Sequence, residues 1–373
     1  MLQTYEIGSL PKPWLVLPQD SKGLNYWAER IEFEEKEEFQ ALMEKGKLRN
    51  GEEQQRLREL GTIFNLRFLE STGLDFVFNG EALRIEMNEY PLRQVEGIRF
   101  FPEEVHSFGE AYYHRGDVVH QLRLKSLYHD RELPIIQPHA RKPVKVPVTG
   151  PYTLAAWCSD SHYLPKRLET EPWDKALYHA REQLAWAFAE EVVRPNLEKL
   201  ISQGAAWIQM DEPAATVVAG EMPIVVSAVN RAVEGLQDKA KFSIHICFGR
   251  DYNRLFPHLN GLLFRHICLE LANREGYAIL QRFQELNQES EQPWEVGIGV
   301  LRVHTNEVET AEQVKERILH AARFYDPGFL YACPDCGLRT RKDAEGLSII
   351  HAKLSNMVEG ARLAGATWKG RNI

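Results

Sequence analysis

Short apolar runs alternate with longer amphipathic stretches along the chain. The apolar runs are rich in Val, Ile, Leu and Phe, which is typical of strands that are buried on both faces. The stretches between them carry strong helix formers. This pattern predicts eight strands, at residues 5–10, 75–81, 145–150, 207–211, 242–249, 262–270, 294–301 and 329–333. It predicts helices at residues 34–45, 52–71, 173–203, 222–236, 274–284, 311–325 and 345–364.

Eight strands that alternate with helices predict an α/β protein, a (β/α)8 TIM barrel formed by residues 1–373 as one catalytic domain. The length also fits two small domains. A doubly wound sheet is the alternative for the fold. It is disfavoured because the chain has neither a G-x-G-x-x-G nor a G-x-x-x-x-G-K-[ST] phosphate loop.

The segment after the second predicted strand, residues 90–142, is too long for a plain connection between a strand and a helix. It contains two apolar runs, at 98–101 and 105–108, and a pattern at 116–127 that predicts a helix. We therefore expect an insertion, with a hairpin, that covers the C-terminal mouth of the barrel.

Composition excludes several classes of protein. Hydrophobic residues make up 44% of the chain and charged residues 26%, as in globular proteins. A net charge of −8 argues against nucleic-acid binding through bulk charge. We find no apolar run of the roughly 18–20 residues that span a bilayer and no secretion signal. We therefore expect a cytoplasmic protein without membrane partners, whose five cysteines are free thiols or metal ligands.

Polar and ionisable groups follow almost every predicted strand, at the end where the active sites of such barrels lie. His245 and Cys247 are two residues apart in one strand, so their side chains point to the same face. Glu270 ends the sixth strand and Cys336 follows the eighth. One imidazole, two thiols and one carboxylate suit a tetrahedral zinc site.

Each of these residues taken alone also suits a buried core position. The coincidence of four zinc-type ligands at strand ends favours the metal. His266-x-Cys268 repeats the spacing earlier in its strand, and we interpret that pair as core. Cys333-x-x-Cys336 could be a redox pair or half of a structural zinc site, but the chain has no second C-x-x-C. Cys336 is therefore assigned to the metal, with Cys333 as its neighbour.

The charges of these ligands indicate what the metal would do. Two thiolates and a carboxylate leave the zinc site with a net negative charge, which disfavours the activation of water. A free thiol has a pKa near ~8.5 and is mostly protonated at neutral pH, whereas a metal-bound thiol is deprotonated. The shell therefore predicts a site that makes a substrate thiol nucleophilic toward an electrophilic carbon.

Seven motifs follow one another between residue 5 and about residue 341. They are Ile7-Gly-Ser-Leu-Pro11, Asn79-Gly-Glu81, Thr149-Gly-Pro151, Asp211-Glu-Pro-Ala214, His245-Ile-Cys247, Val303-His304 and Pro334-Asp-Cys-Gly-Leu-Arg-Thr-Arg341. In this order they resemble the catalytic half of the cobalamin-independent methionine synthase family. The fourth and the last motif are the specific ones.

The resemblance implies a (β/α)8 barrel with zinc held by four residues, which here are His245, Cys247, Glu270 and Cys336. It also implies roles in substrate handling: Ser9, Glu81 and Asp211 would bind the amino-acid end of homocysteine, Trp157 would stack on a pterin, and His304 would protonate the leaving amine. Taken alone, Glu81 and Asp211 also suit helix caps, Trp157 core packing and His304 an ordinary loop.

Three functions stay open at this point. The first is a zinc-dependent methyltransferase that makes methionine from homocysteine, with methyltetrahydrofolate or a methylated corrinoid protein as the donor. The second is a zinc-dependent alkyltransferase that acts on another thiol, such as coenzyme M. The third is a non-catalytic or decarboxylase-like barrel that binds a tetrapyrrole or corrinoid. Two acidic residues near the substrate favour homocysteine over a sulfonate.

Overall fold

A computed structural model describes residues 2–12, 21–84, 86–107, 111–249, 251–273, 276–290, 292–339 and 344–369. Its main feature is a curled parallel sheet of seven strands in the order β1-β10-β9-β8-β7-β6-β4. The strands of this sheet are β1 (Gln3–Thr4), β4 (Lys145–Thr149), β6 (Trp207–Asp211), β7 (Lys241–Ile246), β8 (His266–Leu269), β9 (Glu295–Leu301) and β10 (Leu330–Pro334).

Six of the eight predicted strands are confirmed to within a few residues, and the first two differ. The first is a short strand, β1, that precedes the predicted run 5–10. At the second, 75–81, the structure has two isolated parallel bridges, Tyr5 with Phe76 and Val77 with Val144. The described residues therefore show an α/β fold with a parallel, half-barrel sheet, and the closed eight-stranded barrel stays a prediction.

A hairpin follows the second predicted strand. It consists of β2 (Val95–Ser107) and β3 (Ala111–Leu124), which pair in antiparallel fashion, and β5 (Ser159–Asp160) adds to β3 in parallel. The predicted helix at 116–127 is wrong. Val118 and Leu122 recur at a spacing that fits a helix turn, but they also lie on one face of a strand, and pairing with β2 decides between the two.

Helices surround the sheet, and most lie where the sequence predicts them. Their bounds are α1 (Ser21–Arg30), α2 (Lys36–Glu44), α3 (Gly51–Ser71), α4 (Glu89–Leu92), α5 (Glu132–Ile136), α6 (Pro151–Ala156), α7 (Leu164–Leu168), α8 (Trp173–Phe188), α9 (Arg194–Ser202), α10 (Met222–Val233), α11 (Gln281–Gln288), α12 (Ala311–Ala321) and α13 (Ala344–Lys369). The predicted helix 173–203 is divided into α8 and α9 by a π-helical turn at Ala189–Val193.

The strands of the main sheet are buried on both faces, but one face is polar in places. Lys145, Gln209 and His245 are nearly inaccessible to solvent. The Lys145 ammonium donates to Gln209 Oε1 at 2.6 Å and to the Ile7 carbonyl at 3.0 Å, which compensates for its burial. All five cysteines are free thiols. Among the described residues, we find no helix that is both long and apolar enough to cross a membrane.

A buried ion pair holds the loop after β9 against α13. Lys353 Nζ lies 2.6 Å from Glu309 Oε2 and donates to the Arg302 carbonyl at 2.9 Å. Glu309 Oε1 accepts from the backbone N–H of Arg302 at 2.8 Å. Both charged side chains are almost fully buried, so Lys353 depends on Glu309 for compensation, while Glu309 also has the partly exposed Arg317 guanidinium at 3.3 Å.

Replacement of Lys353 by Met should lower the free energy of unfolding by about 3 kcal/mol, because it removes the buried cation of the pair and leaves the Glu309 carboxylate only the more distant Arg317, at 3.3 Å. Urea unfolding of the single variant measures the loss. The double variant Lys353→Met, Glu309→Gln should recover part of it, since no buried carboxylate is then left in place of the pair, and Arg317, which loses its contact with Glu309, is partly exposed. An unchanged unfolding midpoint in Lys353→Met would contradict this account of the pair.

Candidate metal and substrate site

His245, Cys247 and Cys336 converge at the carboxyl ends of the strands. His245 is the penultimate residue of β7, Cys247 follows that strand directly, and Cys336 lies two residues beyond the end of β10. Their ligand atoms all lie within 4.8 Å of one another, and the two cysteine sulfurs are 3.4 Å apart. Three of the four predicted ligands are thus brought together from two distant segments.

The three side chains perturb one another strongly. The hydrogen bond between the two sulfurs raises the pKa of Cys247, which burial also raises, and lowers the pKa of Cys336. Burial alone would lower the pKa of His245, but the Cys268 and Cys336 sulfurs raise it well above its usual value. Two sulfurs that share a proton beside an imidazole form a donor set that a cation would stabilise.

The donor set fits zinc. His245 Nε2 is buried and has no hydrogen-bond partner among the described residues, which costs about 1–3 kcal/mol if nothing binds that nitrogen. The other ring nitrogen, Nδ1, lies 3.3 Å from Cys268 Sγ. Two zinc–sulfur bonds of about 2.3 Å at a tetrahedral angle place the sulfurs roughly 3.8 Å apart, so the two sulfurs here, 3.4 Å apart, need to separate only slightly to bind one ion.

Glu270, the predicted fourth ligand, lies beside this group but outside it. Its Oε2 accepts from the backbone N–H of Phe248 at 3.0 Å, and its Oε1 accepts from Asn273 Nδ2 at 2.8 Å. The first contact ties the carboxylate to the residue after Cys247. Its role as a ligand stays a prediction.

Asp335 organises the loop that carries Glu270. Its Oδ1 accepts from the N–H groups of Leu271 at 3.0 Å and Ala272 at 2.8 Å, and its Oδ2 accepts from Asn273 at 2.8 Å. A Cβ at Gly299 would collide with the Asp335 carboxylate, so glycine is required there. Because Asp335 precedes Cys336, one short segment positions two parts of the site.

Asp211 and Glu212, the acidic pair after β6, have different environments. Glu212 accepts from the N–H groups of Tyr152 at 3.0 Å and Thr153 at 2.7 Å and so caps α6. The carboxylate lies where a Cβ of Gly150 would be. Asp211 accepts from Gln209 Nε2 at 2.7 Å and is opposite His245 in the sheet. Helix capping, the alternative considered for Asp211, is thus the role of its neighbour.

Ser9 and Glu81 lie on the two loops that face this end of the sheet. Glu81 has a φ of +56°, and its backbone N–H donates to Asn79 Oδ1 at 2.8 Å. Its Oε1 would lie 2.7 Å from a Cβ at Gly8, so only glycine admits the carboxylate at this position. Ser9 Oγ lies against Gly337, next to Cys336, and the Ser9 carbonyl accepts from the Leu338 N–H at 2.7 Å.

Trp157 and His304 lie farther beyond the strand ends, after β4 and β9, respectively. Trp157 ends α6 and is stacked on Tyr113 of the hairpin, with ring centroids 6.1 Å apart and planes at 20°. His304 follows β9 and is exposed. The unexpected Arg302 nearby donates from Nε to the Ala272 carbonyl at 3.3 Å, which links the His304 loop to the Glu270 loop. The roles of Trp157 and His304 stay predictions.

Comparison with known proteins identifies the family. Residues 32–363 match the family described as "Cobalamin-independent synthase, Catalytic domain". The chain belongs to the cobalamin-independent methionine synthase family. The resemblance seen in the seven sequence motifs is therefore confirmed.

Individual relatives agree with this assignment. A methionine synthase of Thermoplasma volcanium is 33% identical over 85% of this chain and 91% of its own, and one of Pyrococcus furiosus is 31% identical over 97% and 92%. The solved structure of a B12-independent methionine synthase from Shewanella sp. W3-18-1, in complex with selenomethionine, has a TM-score of 0.76 and 24% identity and covers 99% of both chains. That likeness shows the shared fold.

One buried acid of this family member was not found from its sequence. Glu6 is 2% exposed, and its Oε1 has no hydrogen-bond partner among the described residues. Burial raises the pKa of Glu6 to about 8; Lys145 opposes this shift, and the charges of Glu81 and Asp211 add to it. An acidic residue inside an apolar run, directly before Ile7-Gly-Ser, is the signal that could have found it.

Glu6 makes stability depend on pH. Its pKa is about 8 in the folded protein and 4.5 in the reference state, so the folded state holds the proton more tightly between these values. Its contribution to stability is greatest below pH 4.5 and is lost as the pH rises through 8. Relative to Glu6→Gln, we expect the wild-type protein to lose up to about 5 kcal/mol of unfolding free energy over this range.

Urea unfolding at several pH values between 5 and 8 measures this difference. Glu37→Gln, which changes an exposed glutamate on α2, serves as the control and should leave the pH dependence of the wild type in place. Parallel pH profiles for the wild type and Glu6→Gln would contradict the burial of a protonated carboxyl group at this position.

Proposed function

We propose that the protein is a zinc-dependent methyltransferase that transfers a methyl group to the thiol of homocysteine and so forms methionine. Membership of the cobalamin-independent methionine synthase family supports this reaction. The observation that carries the proposal is the group of one imidazole and two thiols within 4.8 Å, with a buried ring nitrogen, His245 Nε2, that has no hydrogen-bond partner in the described part of the chain.

His245, Cys247 and Cys336 would hold the zinc ion, with Glu270 as the fourth ligand. Bound zinc would keep the thiol of the substrate deprotonated, and hence nucleophilic, at neutral pH. The contacts of Glu270 with the Phe248 N–H and Asn273 hold its carboxylate close enough to Cys247 for its charge to raise the pKa of that thiol. Asp335, through the loop it holds, fixes the direction from which that carboxylate approaches.

Ser9, Glu81 and Asp211 would hold the amino-acid end of homocysteine. The pKa of Asp211 is raised to about 7, first by burial; His245 opposes this shift and the charge of Glu81 adds to it, so the two carboxylates are close enough to repel each other. An ammonium group between them would relieve this repulsion through charge-assisted hydrogen bonds. The backbone around Ser9 lies next to Gly337 and would so place the substrate beside Cys336.

The methyl donor would be methyltetrahydrofolate or a methylated corrinoid protein. An amine leaves poorly as an anion, and His304, exposed after β9, would supply its proton. Trp157 would present a ring to a pterin, and its stacking on Tyr113 ties this surface to the hairpin. The contacts of the hairpin with α4, where Glu89 accepts from the His114 N–H at 2.7 Å, support an insertion over the mouth within residues 90–142.

We further propose that the sheet closes into a (β/α)8 barrel and that residues 1–373 form one catalytic domain. The bridge from Tyr5 to Phe76 continues the β1 edge, and the bridge from Val77 to Val144 reaches the residue before β4. The segment around Phe76 and Val77 therefore occupies the gap between the two edge strands, where the eighth strand of a barrel would lie.

Metal analysis and X-ray absorption test the proposed reaction. The isolated protein should contain one equivalent of zinc, and homocysteine should add a third sulfur to the zinc shell. A change in ligation with coenzyme M but not with homocysteine would favour an alkyltransferase for another thiol. Absence of the metal would favour a tetrapyrrole- or corrinoid-binding barrel and would overturn the proposal.

Replacement of Cys336 by Ser should abolish zinc retention and methyl transfer together, because one of two anionic sulfur ligands is lost. Circular dichroism and thermal unfolding check that the fold remains. Cys158→Ser, which changes a buried thiol beside Gly116 of the hairpin, is the matched control and should keep its zinc. Stoichiometric zinc with near-normal turnover in Cys336→Ser would rule out the assignment.

Replacement of Asp211 by Asn should raise the KM for homocysteine by about 10- to 100-fold, because a charged hydrogen bond to the ammonium group is worth roughly 1.5–3 kcal/mol. Methylation of 3-mercaptopropionate, a thiol without an ammonium group, provides the comparison and should change much less. An equal loss with both thiols would place Asp211 outside the ammonium site.

A further inference from the structure

Cys268 is the polar partner of His245 Nδ1. It lies on β8, directly opposite His245 of β7 in the sheet register. Its Sγ is 3.3 Å from His245 Nδ1 and 3.9 Å from Gln209 Oε1. Cys268 is fully buried, so these contacts take place without competition from water.

The direction of these hydrogen bonds follows from Gln209. The amide nitrogen of Gln209 donates to the Ile7 carbonyl at 2.9 Å and to Asp211 Oδ1 at 2.7 Å. Its oxygen therefore faces Lys145 and Cys268, and it accepts from the Lys145 ammonium at 2.6 Å. An amide oxygen cannot donate. The Cys268 S–H is thus directed to Gln209 Oε1, and the sulfur accepts with its lone pairs, from the Cys333 thiol and from His245 Nδ1–H.

This polarity selects one tautomer of the neutral His245 ring, which is the form that binds a metal. When Nδ1 carries the proton and donates it to Cys268, Nε2 has a free lone pair. Nε2 is the buried nitrogen without a hydrogen-bond partner among the described residues. The second nitrogen of a metal-binding histidine commonly donates to a group that orients the ring. A thiol occupies that place here, in a position interpreted from the sequence as ordinary core.

We propose that Cys268 is a positioning residue: through Nδ1 it holds the His245 ring in the tautomer and orientation that present Nε2 to the metal. Because Gln209 donates to Asp211, the same chain of hydrogen bonds connects the metal ligand to the carboxylate proposed for the substrate ammonium group. The inference rests on the proposed zinc site and adds a residue that makes no bond to the ion.

Two substitutions separate positioning from packing. Cys268→Val keeps an apolar side chain of similar volume but cannot accept the hydrogen bond, whereas Cys268→Ser keeps a polar atom but fits an apolar environment less well. A positioning role predicts that Val weakens zinc binding by about 10- to 100-fold, as is usual for the loss of such a partner, while Ser retains most of the affinity. A packing role predicts the opposite order.

The measurements use the full-length protein. Competition with a chromogenic chelator gives zinc affinity, thermal unfolding of the metal-free protein gives stability, and the visible spectrum of the cobalt-substituted protein reports ligand geometry. We expect Cys268→Val to change the cobalt spectrum and zinc affinity with little loss of apoprotein stability. Cys158→Val, which alters another buried thiol, should leave all three near wild type.

Wild-type zinc affinity and cobalt spectrum in Cys268→Val would overturn the positioning role, and so would a loss of zinc in Cys268→Ser that is as large as in Cys268→Val. Either result leaves the proposed function standing, provided the wild-type protein holds zinc. A wild-type protein that binds no zinc would overturn both. The cobalt spectrum of Cys268→Ser keeps the test decisive if Cys268→Val does not fold.

Discussion

Curvature of the parallel sheet is the constraint on which the site depends. Cys247 follows β7 and Cys336 follows β10, and two strands, β8 and β9, lie between them. In a flat sheet, strands three places apart are separated by roughly 14 Å. The two sulfurs are 3.4 Å apart, so the sheet must curl until these strand ends face each other. The register irregularity between Cys333 and Pro334 assists by redirecting the chain just before Cys336.

In each of the two most specific motifs, one residue belongs to the proposed site and its neighbour in the sequence holds the surrounding backbone. After β6, Asp211 faces the inner side of the sheet while Glu212 caps α6. After β10, Cys336 joins the sulfur pair while Asp335 binds three backbone N–H groups of the Glu270 loop. A carboxylate that organises a loop by accepting from backbone N–H groups must be close to that loop, so support and function share the same short segments.

Much of this arrangement was predictable because it depends on local periodicity. Val-, Ile- and Leu-rich runs located six strands of the main sheet, and the i, i+2 spacing correctly placed His245 and Cys247 on one face. The hairpin strand Ala111–Leu124 was mistaken for a helix in part, since its apolar spacing fits both periods and only pairing with β2 decides. Which strand a segment pairs with cannot be predicted from the residues of that segment alone.

The same limit explains why Cys268 and Glu6 were missed. Cys268 was correctly expected to be buried, but its contact with His245 arises from the register of β7 against β8, which the sequence does not state. Glu6 differs from an ordinary glutamate only through its neighbours in the folded protein, where the charges of Lys145, Glu81 and Asp211 act on its buried carboxyl group. In both cases residue type was visible in the sequence, whereas the identity of the neighbours was not.

The site also concentrates features that oppose folding stability. Glu81 and Phe248 have φ values of +56° and +58°, a region that non-glycine residues adopt at a cost. Glu6 Oε1, Asn79 Nδ2 and His245 Nε2 are buried without hydrogen-bond partners among the described residues. A fold selected for stability alone would satisfy such groups. A metal or substrate that binds these atoms would recover part of this cost. Binding of such a ligand would therefore also stabilise the folded chain.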